Sequence, residues 1–73
     1  MRKVLIETSE NITTHNFLTR IEFEGGIYFS VVYKNGIIHY ERQFKRWKDV
    51  FECYKTNIKL QLTNIPITIL VEI

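Results

Sequence analysis

The fold is decided by residues 17–42, FLTRIEFEGGIYFSVVYKNGIIHYER. From Phe17 to Glu24 the side chains alternate: Phe17, Thr19, Ile21 and Phe23 fall on one side, Leu18, Arg20, Glu22 and Glu24 on the other. That period of two is the signature of a half-buried strand. Ile27 to Lys34 is dense in β-branched and aromatic residues and reads as a second strand. Asn35-Gly36 is the strongest short hairpin signal a sequence carries, because both central residues of a type I′ turn need positive φ. Ile37 to Arg42 is then the returning strand.

The register of the first hairpin depends on loop length. A two-residue Gly25-Gly26 turn sets Phe23 opposite Tyr28 and Ile21 opposite Ser30, mixing an apolar face with a polar one. A three-residue loop, Glu24-Gly25-Gly26, sets Phe23 opposite Ile27, Ile21 opposite Phe29, Thr19 opposite Val31 and Phe17 opposite Tyr33. It joins Ile38 and Tyr40 to one contiguous apolar face, so periodicity predicts the three-residue loop. The other face then holds Leu18, Tyr28, Val32, Ile37 and His39 among Arg20, Glu22, Lys34 and Glu41.

Outward from this meander, Lys3 to Thr8 reads as an N-terminal strand and the polar run Glu10 to Asn16 as a loop. From Gln43 to Thr56 the period becomes helical. Phe44, Trp47, Val50, Phe51, Tyr54 and Ile58 fall within an arc of about 120° at 100° per residue. Asn57 reads as the helix stop, 64–66 as a turn at Pro66, and Ile67 to Ile73 as a last strand. The expected fold class is α+β: one domain spanning 1–73, a small antiparallel β-meander of three central strands plus N- and C-terminal strands, with one amphipathic helix on one face. Trp47 and Phe51 are expected to pack on Ile21, Phe29 and Val31.

At 73 residues the chain has room for one domain and no large enclosed cleft. Its single cysteine, Cys53, excludes an internal disulfide framework and fits a reducing compartment. No apolar run reaches the roughly 18 residues of a membrane span, and the N-terminus lacks a signal-peptide core, so a cytoplasmic location is expected. The chain has no alanine, one proline and three glycines against five phenylalanines and four tyrosines. That bias suggests an AT-rich genome: a low-GC bacterium, its phages or mobile elements.

Site chemistry is sparse. His15 and His39 lie on different elements and one cysteine completes no ligand set, so no metal or other cofactor is expected. No nucleophile–base pair or phosphate-cradling glycine loop can be assembled, so no enzyme is expected. Two surfaces remain. Tyr28, Val32, Ile37 and His39 form a half-apolar face suited to a protein partner, or to the chain's own mate in a homodimer through this face or the Ile67–Ile73 edge. Arg42, Lys45, Arg46 and Lys48 cluster at the expected helix start, where cations oppose the helix dipole. They could hold nucleic acid, or simply form a solvated face with Lys48–Glu52 and Lys45–Asp49 pairs. A net charge of +2 is little with which to hold a polyanion. The favoured expectation is a non-enzymatic protein-interaction module, encoded by a phage or mobile element, that occludes a partner; a small nucleic-acid-binding protein is the alternative.

Overall fold

Four antiparallel strands and one helix carry residues 1–12 and 14–62, which the computed structural model describes. The strands are β1 (Lys3–Ile12), β2 (His15–Glu24), β3 (Ile27–Lys34) and β4 (Ile37–Phe44), in spatial order β1-β2-β3-β4, followed by α1 (Trp47–Leu62). This is a small α+β domain: an open meander with one helix on one face. The fifth strand expected at 67–73, and the turn before it, lie outside the described residues.

The β2–β3 register corrects the sequence reading. Glu24 pairs with Ile27, Phe23 with Tyr28, Ile21 with Ser30, Thr19 with Val32 and Phe17 with Lys34. The loop is therefore the two-residue Gly25-Gly26 turn. Gly25 and Gly26 have φ of +59° and +81°, nearly matching Asn35 and Gly36 at +52° and +82°. Both hairpins thus use tight turns with positive φ at both central positions, whose twist matches that of the strands they join.

This register places Thr19, Ile21 and Phe23 in rows with Val32, Ser30 and Tyr28, on the side facing α1. The polar row-mate that argued against it is satisfied from above. Asn57 is fully buried in mid-helix, and its Nδ2 donates to Ser30 Oγ at 3.1 Å. A buried hydroxyl with a partner costs far less than one without. Asn57 is therefore a core residue rather than the helix stop, and the helix runs on to Leu62.

The core has two parts. Ile21, Val50 and Tyr54 form one, flanked by Tyr28, Phe44, Phe51 and Ile58. Val32 and Tyr40 form the other, flanked by Phe17 and Cys53. Val50, Tyr54 and Asn57 mark the buried stripe of α1 at helical spacing. Tyr54 also shares a hydroxyl–hydroxyl hydrogen bond with Thr8 of β1, tying the helix to the sheet edge.

Three further elements differ from expectation. The polar run from Glu10 to Asn16 is mostly strand: Asn11 pairs with Asn16, and Asn16 Nδ2 donates to Asn11 Oδ1 at 2.7 Å. Asn16 and Asn35 also exchange bonds, Asn16 N to Asn35 Oδ1 (2.9 Å) and Asn35 N to Asn16 O (2.8 Å), so asparagines close this end of the sheet. In β4, Tyr33 pairs with Ile38 and Val32 with Tyr40, leaving His39 as a bulge. The bulge turns Ile38 away from the core, and it is half exposed. Finally, α1 begins at Trp47 rather than Gln43, with Phe44 still in β4.

Candidate interaction surface

The second sheet face is not the open surface the sequence suggested. Tyr28 and Val32 lie under α1: Val32 is fully buried, and Tyr28 is wedged between Phe23 (centroids 4.8 Å apart) and Trp47 (5.9 Å). Of the four residues assigned to a partner face, only Ile37 and His39 are exposed, beside the Asn35-Gly36 turn. The register shift of one residue moved Tyr28 and Val32 to the opposite side. With α1 over Tyr28 and Val32, a mate approaching this face would meet Ile37 but not those two, and the Ile67–Ile73 edge lies outside the described residues.

The face away from the helix carries Phe29 and Val31 instead, which are buried and cannot meet Trp47. The Arg2 guanidinium lies 3.6 Å above the Phe29 ring and donates to Glu41 (2.6 Å) and Glu22 (3.3 Å). Arg20 donates to Glu7 (2.8 Å) and lies 3.6 Å from Glu22, while Tyr33 donates its hydroxyl to Glu22 at 2.9 Å. Glu22 is nearly fully buried, and three partners compensate its desolvation. Hydrogen bonding to Glu41 raises the Arg2 pKa, and that to Glu7 raises the Arg20 pKa. Burial, then the bond to Glu22, raises the Tyr33 pKa. The centre of this face is covered by its own charged groups, while Val4 and Ile38 beside it remain partly exposed.

Both sheet edges are interrupted. β1 carries a bulge at Leu5, since Val4 pairs with Glu22 and Ile6 with Ile21. β4 carries the His39 bulge. Bulges and nearby charges such as Lys3 and Glu7 discourage edge-to-edge pairing.

The basic cluster is rearranged as well. Arg42 lies in β4 with its guanidinium 5.2 Å from the Phe44 ring centroid. Lys45 and Arg46 form the β4–α1 connection, and only Lys48 lies in the first helical turn. The Arg46 carbonyl accepts from Val50 N (3.2 Å), and its side chain donates to Asp49 at 2.9 Å. Asp49 supplies the anion that a helix N-terminus favours, so the apparent conflict with the dipole disappears.

Next to these cations in the chain lies an aromatic platform that sequence reasoning missed. Trp47 is 44% exposed although it was expected in the core. Its indole stacks on Phe51 (5.4 Å, 18° between planes) and meets Tyr28 edge-on. The row continues from Phe51 to Tyr54 at 6.1 Å, and from Tyr28 to Phe23. Lys55 Nζ sits 5.2 Å from the Phe51 centroid and pairs with Glu52 at 3.2 Å. The helical arc did include Trp47, but the helix began too early for its position at the rim to be visible.

Cys53 is partly buried; its Sγ lies 3.4 Å from the Tyr40 hydroxyl and 3.9 Å from Asn57 Nδ2. Burial, then the Cys53 contact, pushes the Tyr40 pKa up to about 12. Among the described residues no three His, Cys, Asp or Glu side chains gather as metal ligands, and no helix is long and apolar enough to cross a membrane. No family model, curated protein or solved structure matches this chain.

Proposed function

We propose that this chain is a non-enzymatic protein-interaction module that works by occluding a partner protein, and that the surface it uses is the Trp47 platform rather than the sheet face. One observation carries the reading: a large aromatic side chain is left 44% exposed while two neighbouring rings hold it in place. Trp, Tyr and Arg dominate binding hot spots, and an anchor fixed before contact loses little entropy on binding. The AT-rich composition supports a phage or mobile element of a low-GC bacterium as the source, and the bacterial cytoplasm as the place of action.

A second reading, nucleic-acid binding, is favoured by the same indole. Lys45, Arg46 and Lys48 flank it in sequence and Arg42 lies two residues before the end of the preceding strand, and single-strand binders combine stacking rings with cations. Affinity capture from a nuclease-treated low-GC bacterial lysate separates the two. The module reading expects one protein held by the wild-type chain and lost with Trp47→Ala. Capture that vanishes with nuclease, joined to gel shifts that fall steeply with salt, would replace it with the second reading.

A further inference from the structure

We infer that the Trp47 platform takes an acidic protein segment bearing one bulky apolar side chain; this rests on the reading of that platform as a protein-binding site. The apolar half of the argument is geometric. Phe51 occupies one side of the indole and Tyr28 meets its edge, yet the ring is still 44% exposed. That leaves space for one apolar anchor rather than for a row of them.

The charged half comes from cations beside Trp47 in the chain and beside the other rings of the row. Lys45 precedes the platform in the β4–α1 connection and Lys48 follows it in the first turn of α1; both are exposed and neither forms an ion pair among the described residues. Lys55 lies over Phe51. Lys3 is the register partner of Phe23, at the far end of the aromatic row. An apolar anchor with carboxylates on both sides would meet this pattern, and complementary charge sets both encounter rate and register.

The same surface is poorly built for a nucleic-acid strand. Asp49 and Glu52 pair with Arg46 (2.9 Å) and Lys55 (3.2 Å), which leaves Lys45 and Lys48 as the cations free to meet a few carboxylates, too few for a phosphate at every nucleotide. Single-strand binders stack successive bases on successive free rings. Here Phe51 and Tyr28 are engaged in supporting Trp47, and one ring is left to offer.

Peptide display on the full chain tests the inference, with a twelve-residue random library as probe and oligothymidylate as competitor. Selected peptides should carry Asp or Glu on both sides of Phe, Leu or Trp. Their affinity should fall at least tenfold with Lys45→Glu plus Lys48→Glu, exposed positions where folding is insensitive, and oligothymidylate should not compete. Selected peptides that lack acids, or that bind the reversed variant equally, would overturn the acidic-segment inference; loss with Trp47→Ala would still leave the platform standing. Competition by oligothymidylate would overturn it in favour of nucleic acid. Failure to select any peptide dependent on Trp47 would overturn the inference, while lysate capture that still depends on Trp47 would leave the module reading intact.

Discussion

Ser30 and Asn57 offer the sharpest test of the corrected register. With the two-residue Gly25-Gly26 turn, Ser30 faces α1 and its hydroxyl accepts from Asn57 Nδ2 at 3.1 Å, both residues fully buried. Ser30→Ala leaves that amide with only its long contact to Cys53 Sγ (3.9 Å), at a cost of about 1 kcal/mol. Asn57→Leu strands the serine hydroxyl at a similar cost, partly offset by burying a near-isosteric apolar side chain. It also removes Asn57 Oδ1, which has no hydrogen-bond partner in the interior. Combining the two removes both halves of the pair, and such paired replacements are often close to neutral. The double variant should therefore be more stable than the sum of the singles predicts by about 1 kcal/mol. A chain of this length has roughly 4–11 kcal/mol in all, so the coupling is measurable. Urea unfolding followed by the single tryptophan and by circular dichroism, at constant m value, gives all four stabilities. Additivity to within about 0.3 kcal/mol would show that the two residues do not meet, and the register would be wrong.

Other perturbations read other parts of the molecule. Because burial holds the Tyr40 pKa near 12 while the unfolded chain titrates near the ordinary 10.0, the unfolded state releases its proton first as pH rises. Stability from this group is complete below pH ~10 and should fall by about 2 kcal/mol by pH ~12, a loss that Tyr40→Phe should remove in a pH series of urea midpoints. Gly26→Ala should cost about 1 kcal/mol by thermal unfolding, since φ is +81° there, while Gly25→Asn should be nearly neutral. Trp47→Ala should cost about 2 kcal/mol by urea unfolding, rather than the 3–5 of a fully buried aromatic, because the indole is already 44% exposed. Arg2→Ala uncovers Phe29 and leaves Glu22 and Glu41 without their shared cation; about 1–2 kcal/mol should be lost in the same assay.

The architecture was legible where local chemistry and tertiary packing agree. Asn35-Gly36 marked its turn, the β-branched run of β3 marked a strand, and Val50, Tyr54 and Ile58 marked the inward side of the helix. The register of β2 on β3 was not legible, because periodicity assumes that apolar faces gather and polar ones separate. Here a serine and a threonine sit in the core rows, and the partner of the serine, Asn57, comes from an element 27 residues away. Nor could alternation reveal that Arg2 would fold over Phe29, since a charged residue near the N-terminus carries no periodic signal. The β4 bulge at His39 reversed the sides of Ile38 in the same way. Once the register and the helix start had slipped, the candidate site slipped with them: Tyr28 looked exposed and Trp47 looked buried, and the structure exchanges the two.

Trp47 is the only tryptophan, so its emission reports on the proposed surface without interference from the rest of the chain. The most direct measurement is acrylamide quenching of that emission as a tryptophan-free form of the captured partner is titrated in. The free chain should quench as a half-exposed indole does, and saturation with partner should shift the emission to the blue and cut the quenching constant severalfold. A partner that binds to saturation while Trp47 stays as quenchable as before would contradict the account.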